Sequence, residues 1–172
     1  MQYPKSYDVI VIGGGHNNSY PLLKALASQS GQPANSANLD PHSDFRPLEG
    51  RHSGNGFSYA WQDGYLQHYF VLGLHELKNS AATLQQLQQA GADYCSYQRI
   101  FVRQELSYQQ ALDLCIDAVV QGSGDIGIEL DTDSISGMPV SAYGYRDTSK
   151  PDLVVKAPVA AHSVQVQVSV EK

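Results

Sequence analysis

The chain has 172 residues, enough for one domain with its own core, and 42 % hydrophobic with 16 % charged residues is an ordinary folded composition. A formal charge of −6 with no basic cluster speaks against nucleic acid as a partner. No apolar run is long enough to span a bilayer, and the polar stretch Met1–Asp8 lacks the charged-then-apolar order of a secretory signal, so no membrane partner and a cytoplasmic location are expected.

In chain order, Val9–Ile12 is a continuous apolar run that ends in Gly13–Gly15, the pattern of a buried parallel strand. Helical character follows over Pro21–Ser28. Ala37–Leu39 is a short strand that leads into the polar loop DPHSDFRPLEGRHSGNG. Tyr69–Leu74 is a second clear strand. Asn79 is placed to cap a helix carrying Ala81, Leu84, Leu87 and Ala90 on one side, which Gly91 ends. Arg99–Val102 reads as a short strand. Ser107 and Gln110 form a capping-box pattern ahead of a helix with Tyr108, Leu112, Cys115 and Val119 on one face. Ile126–Leu130 is a further strand. Cys95 and Cys115 stand outside any CxxC pair and read as buried, reduced thiols.

Strands alternating with helices imply a three-layer α/β/α sandwich around a mostly parallel sheet. Ligands in such folds sit beyond the carboxyl ends of the strands, where each polar motif of this chain falls. From about Tyr145 the rhythm stops, which divides the chain into a core over 1–145 and a divergent tail over 146–172. In the tail Val164, Val166, Val168 and Val170 alternate with polar residues, as in a half-exposed strand.

Three of the polar motifs carry metal-ligand chemistry. Asp40, His42 and Asp44 stand two apart, so an extended backbone points all three to one side. Asp131 and Asp133 repeat the spacing after another strand, and His16 sits in the glycine-rich turn after the first. Each alone has a bland reading: D-x-D is commonly a turn or helix cap, and a loop histidine is commonly just hydrogen-bonded. Together they supply four carboxylates and two imidazoles, a set that suits manganese, zinc, iron or nickel better than calcium or magnesium and leans toward manganese. So many carboxylates around one point call for two dications rather than one.

The motifs GGGH, DPHSD and LDTD, in that order, resemble those of the arginase, agmatinase and formimidoylglutamase family, over roughly Tyr7–Tyr145. The stretch NLDPHSDFRPLEGRHSGNGFSYA looks most like the formimidoylglutamase side of it. The resemblance implies an α/β/α fold and two Mn2+ ions that hydrolyse a carbon–nitrogen bond in a formimino or guanidino amino acid. It places His16, Asp40, Asp44 and Asp131 on one ion and His42, Asp40, Asp131 and Asp133 on the other, with Asp44 and Asp133 in catalysis. A hydroxide between the ions would attack the amidine carbon, with Asp44 accepting a hydrogen bond from it. Ser53 and Asn55 match the loop that holds the amino-acid end of the substrate. Arg46 is a further candidate for a substrate carboxylate, its bland reading being a pair with a nearby acid. Family members commonly form oligomers, so a homo-oligomer is also implied.

Departures from the family pattern carry their own expectations. Phe57 stands where arginases place a proton-shuttling histidine, and His52 nearby reads as an exposed loop residue. The chain is shorter than family members at both ends, and Glu171 is in the wrong context to replace their late substrate-binding glutamate. An incomplete sheet would expose edges and apolar faces, so low solubility or reliance on a partner is expected. The alternatives are a non-catalytic metal-binding remnant and a flavin- or nicotinamide-binding Rossmann unit. In the latter, Gly13 and Gly15 would begin G-x-G-x-x-G, but Asn18 occupies the third glycine position. A nucleophilic hydrolase ranks last, because no G-x-S-x-G elbow is present.

Overall fold

Residues 10–12, 15–135 and 164–169 are described in this computed structural model. The strands are β1 (Ile10–Ile12), β2 (Ala34–Leu39), β3 (Leu66–Leu74), β4 (Asp93–Ser96), β5 (Ile126–Asp131) and β6 (Val164–Ser169). The helices are α1 (Ser19–Ser30), α2 (Gly56–Gln62), α3 (Ala81–Gln89) and α4 (Tyr108–Val119). All pairings among the described strands are parallel, in the order β1-β6-β5-β2-β3-β4.

The alternation along β3 explains the layering. Tyr69 and Val71 point to one face, where they join Leu23 and Leu26 of α1, Phe57 and Ala60 of α2, and Leu87 of α3. Phe70 and Leu72 point to the other, where they meet Ala111, Cys115 and Val119 of α4. Two apolar clusters, one on each face, make the molecule the expected α/β/α sandwich. Cys95 and Cys115 are free and buried in the second cluster.

Several elements differ from their predicted extents. Helix α1 runs from Ser19 to Ser30 and is closed by Gly31 in the left-handed region (φ 71°). Strand β2 begins at Ala34, three residues early, because Asn35, Ser36 and Asn38 are buried polar residues that broke the apolar pattern. Asn79 does not cap α3: the hydroxyl of Ser80 does, accepting from Thr83 N at 3.1 Å.

Arg99–Val102 is not a strand but part of a π-helical turn over Gln98–Val102. Ser96 Oγ accepts from Arg99 N at 3.1 Å and Gln98 O accepts from Arg103 N at 2.7 Å, which winds the chain up just where the apolar residues suggested extension. The strand of this region is the more polar Asp93–Ser96, at one edge of the described sheet. The capping box of Ser107 and Gln110 and helix α4 form as the pattern predicts.

The valine alternation near the C-terminus forms β6, which pairs on one side with β1 and on the other with β5. Gly13, Gly14, Tyr145 and Glu171 lie outside the described residues.

Candidate metal centre

The carboxyl ends of three parallel strands converge on one place. After β1 the chain makes a 3-10 turn over His16–Asn18 that carries His16; β2 runs directly into Asp40; β5 ends on Asp131, with Asp133 in the turn beyond. The first turn lies flush against α2, because Gly56 has no side chain: a Cβ there would collide with the Ser19 hydroxyl, which itself donates to His16 O at 2.8 Å.

The loop after β2 is braced from both sides. Asp40 Oδ1 accepts from His42 N at 2.7 Å and Asp40 Oδ2 from Asn38 Nδ2 at 3.2 Å. Asn38 Nδ2 also donates to the Tyr69 hydroxyl, which donates in turn to Ser43 O at 2.7 Å. Asn79, freed from the capping role, clamps the same loop: its Oδ1 accepts from Ser43 N, and its Nδ2 donates to Pro41 O and His75 O. Asp44 takes a positive φ of 45°, a turn that aspartate tolerates better than most residues. In the other loop, Asp131 Oδ1 accepts from Asp133 N at 2.6 Å.

His16 is the hub. Its Nδ1 contacts Asp44 Oδ2 and lies 3.1 Å from Asp131 Oδ2 and 3.5 Å from Asp40 Oδ2. The ligand-type atoms of His16, Asp40 and Asp44 all fall within 4.8 Å of one another, and all three residues are buried. His42 Nδ1 lies 3.3 Å from Asp40 Oδ1 and 3.6 Å from Asp133 Oδ2. All six predicted ligands therefore meet in one cluster, with Asp40 between the two imidazoles.

A seventh group escaped the sequence reading. Glu129 is buried in β5, and its Oε1 lies 2.8 Å from His16 Nε2, short of full hydrogen-bond alignment. The signal was present: Glu129, Asp131 and Asp133 continue the two-residue spacing one step back along the strand.

The electrostatics report crowding of negative charge. Asp40 is pushed up to about 7, first by burial and then by the charge of Asp44. Burial also raises Glu129, against the pull of His16. For His16, burial works downward, but Glu129, Asp44 and Asp131 outweigh it and hold the imidazole well above its usual range. Burial likewise opposes protonation of His42, and Asp40 overrides it. Asp131 goes the other way: burial raises it, yet its hydrogen bond to His16 leaves it lowered. Five carboxylates around two imidazoles leave a charge excess that is costly away from water. Divalent cations would offset it, and the mixed carboxylate–imidazole donor set fits a borderline-hard ion of the manganese type.

An open cavity of about 410 Å³ leads to the cluster. His16, His42, Asp44, Asp131 and Asp133 line it on one side. Arg46, Ser53 and Lys78 line it elsewhere. Arg46 is turned toward Glu49, its Nη2 donating to Oε1 at 2.9 Å. Asn55 is fully buried and ties the loop internally, accepting from His52 N and donating to Pro47 O and Gly50 O, so it does not line the cavity. His52 lies along the cavity and folds back on its own loop, contacting Glu49 and accepting from Gly54 N. Phe57 is wholly buried, stacked on Tyr69 with ring centroids 4.3 Å apart and edge-on to His16 at 5.9 Å, so it is a packing residue and no proton carrier.

Fold and centre together define a class: an α/β/α domain whose strand ends carry an acid–imidazole cluster suited to divalent cations. The chain belongs to the Arginase family, whose sequence model matches residues 3–144. Members of that family are hydrolases of carbon–nitrogen bonds in linear amidines. Over 86 residues the chain is 35 % identical to formimidoylglutamase of Macrococcus caseolyticus (strain JCSC5402), covering 49 % of this chain and 28 % of that protein. The solved formimidoylglutamase of Bacillus subtilis superposes with a TM-score of 0.72 at 17 % identity, covering 94 % of this chain and 52 % of that one. A Trypanosoma cruzi formiminoglutamase solved with Mn2+ superposes with a TM-score of 0.66 at 17 % identity, covering 94 % of this chain and 56 % of that one. The chain thus spans about half the length of these solved structures, and less of the curated relative.

The Rossmann alternative loses ground on the same observations. Strand β1 lies at an edge of the described sheet rather than at a central switch point. The acidic cluster beyond it would repel a pyrophosphate.

Proposed function

We propose that the chain is a binuclear manganese hydrolase of linear amidine carbon–nitrogen bonds, acting on a formimino or guanidino amino acid in the manner of formimidoylglutamase. The observation that carries this reading is the meeting of His16, His42, Asp40, Asp44, Asp131 and Asp133 in one cluster, of which all but the fully buried Asp40 line one cavity. His16, Asp40, Asp44 and Asp131 would hold one Mn2+ and His42, Asp40, Asp131 and Asp133 the other. Such a pair of dications would supply polarisation of the amidine and acidification of a water.

The remaining steps belong to the chain's own groups. The amidine carbon of the substrate enters at the acidic floor, where Asp133 accepts a hydrogen bond from an amidine N–H. Asp44 takes a proton from the attacking water and delivers it to the nitrogen that leaves as the carbon–nitrogen bond breaks. Arg46, once exchanged from Glu49, offers a planar fork to a substrate carboxylate, and Ser53 offers a hydroxyl beside it. Asn55 acts one step back, by holding the loop that presents Ser53. Reaction on a small polar substrate in an open cavity calls for neither membrane nor nucleic acid, and a homo-oligomer remains part of the proposal through the family.

The test is release of formamide or urea from formimino- and guanidino-amino acids with added Mn2+, for the wild type and for Asp133→Ala. Turnover that needs Mn2+ and is lost in the variant is the expected result. No turnover at full Mn2+ occupancy would instead mark the chain as a metal-binding domain without catalysis.

A further inference from the structure

Behind the six expected ligands stands Glu129, to which nothing in the reaction above gives a task. Its side chain is 5 % exposed, in β5. Together with Leu22, Leu23, Leu26 and Phe57 it lines a small, largely apolar cavity beneath the centre. A carboxylate in such surroundings is costly unless it is paired. Its Oε1 lies 2.8 Å from His16 Nε2, the ring nitrogen on the opposite side from Nδ1. Nδ1 is the nitrogen that faces Asp40, Asp44 and Asp131. The two nitrogens of one imidazole therefore have separate surroundings: one looks into the cluster, and the other faces Glu129 behind it.

We infer that Glu129 is a positioning residue for the metal centre: it holds the Nε2–H of His16 and so fixes the tautomer and ring plane that present Nδ1 to a bound cation. This rests on reading the cluster as a metal centre. The physical reason is general. A neutral imidazole can ligate through only the nitrogen that lacks the proton, and a carboxylate on the other nitrogen both decides which one that is and makes it a better donor. Phe57 completes the mount. Its ring stands edge-on to His16 at 89° and is itself stacked on Tyr69, so the imidazole has a wall on one side and an anchor at its far end.

Position in the strand separates Glu129 from the ligands proper. Glu129 and Asp131 share a face of β5, but Asp131 reaches Nδ1 whereas Glu129 reaches Nε2. Glu129 therefore acts on a cation through His16 rather than by direct contact.

The test uses the whole chain with Mn2+ as the probe, in wild type, Glu129→Leu and Glu129→Gln. Titration calorimetry reads affinity. Ring-nitrogen NMR of His16, assigned by its loss in His16→Asn, reads which ring nitrogen carries the proton in the Zn2+-loaded protein. The leucine variant is expected to lose about ten- to hundredfold in Mn2+ affinity and to show a mixed His16 tautomer. The glutamine variant, whose amide oxygen can still accept from Nε2–H, is expected to recover most of both. A merely structural role would move thermal stability without moving the tautomer. Should the leucine variant fail to fold, Glu129→Asp replaces it: it keeps the charge but withdraws it by one methylene, and the affinity and tautomer are expected to fall as for leucine. Equal affinity and an unchanged tautomer across the variants would overturn the inference. A wild type that takes up no Mn2+ would overturn the metal reading itself, and this shows before any variant is compared.

Discussion

The hydroxyl of Ser134 donates a 2.9 Å hydrogen bond to the carbonyl of Leu39, joining two points 95 residues apart in the sequence. Leu39 immediately precedes Asp40, and Ser134 immediately follows Asp133. Strands β2 and β5 pair as far as Leu39 and Leu130, and this bond carries the contact on to the turn after β5, between the two acidic loops of the centre.

Ser134→Ala leaves the Leu39 carbonyl without this donor in a buried setting. A loss of about 1–3 kcal/mol in unfolding free energy is expected, measured by urea denaturation of the metal-free protein. Mn2+ affinity is expected to fall as well, because the loops lose their mutual register. Unchanged affinity in a folded variant would show that the strands alone hold the loops in place.

Tyr69→Phe probes the brace under Asp40. The Tyr69 hydroxyl accepts from Asn38 and donates to Ser43 O, and every group involved is buried. Phenylalanine keeps the stack on Phe57 but strips the hydroxyl, so about 1–3 kcal/mol of stability should be lost. Thermal and urea unfolding against wild type, with Mn2+ absent, measure it.

Asn79 and Ser80 are neighbours with separate jobs, and their variants should separate accordingly. Ser80→Ala removes the cap of α3 and should cost about 1 kcal/mol with Mn2+ affinity unchanged. Asn79→Ala removes two hydrogen bonds to the loop of His42 and Asp44 and a third to His75 O, so metal affinity should fall even where stability falls no further than in the cap variant. Parallel calorimetric titrations of the two variants decide between these expectations.

The metal-free protein should lose stability as pH rises through neutrality. Asp40 has its folded value raised from 3.8 to about 7, so its contribution is fully present below 3.8 and is lost as pH climbs toward 7. His16 is raised well above 6.5, so its contribution is present below 6.5 and is lost as pH rises through the folded value. Asp131 has the opposite sign, its contribution present above 3.8 and lost as pH falls through the depressed value, so it acts only on the acid side. Thermal midpoints of the metal-free protein are therefore expected to fall from pH 5.5 to pH 8.5. Mn2+ should flatten or reverse that slope, because ligands must give up protons to bind it. Calorimetric titrations in buffers of different ionisation enthalpy should show proton release on metal uptake near pH 6.5. No release would contradict the assignment of Asp40 and His16 as ligands.

Much of this was legible in the chain itself. The apolar runs at Val9–Ile12, Tyr69–Leu74 and Ile126–Leu130 marked parallel strands, the first described over Ile10–Ile12, because that signal arises from the local geometry of the backbone. Asp40, His42 and Asp44 do meet, but not on the extended backbone that their spacing suggested: the loop bends at Pro41 and His42, and Asp44 takes a positive φ. The capping box at Ser107 and Gln110 was equally local. What local geometry could not supply was the company each residue keeps. Strand order brought His16, Asp40 and Asp131 to one end of the sheet from places far apart in sequence. Tertiary contacts moved Asn79 from cap to clamp, wound Gln98–Val102 into a turn and drew Asn55 inward. Glu129 is the sharpest case: its residue type and spacing were in plain view, but only packing shows it buried behind His16, since burial and pairing are properties of the assembled layers and not of any single segment.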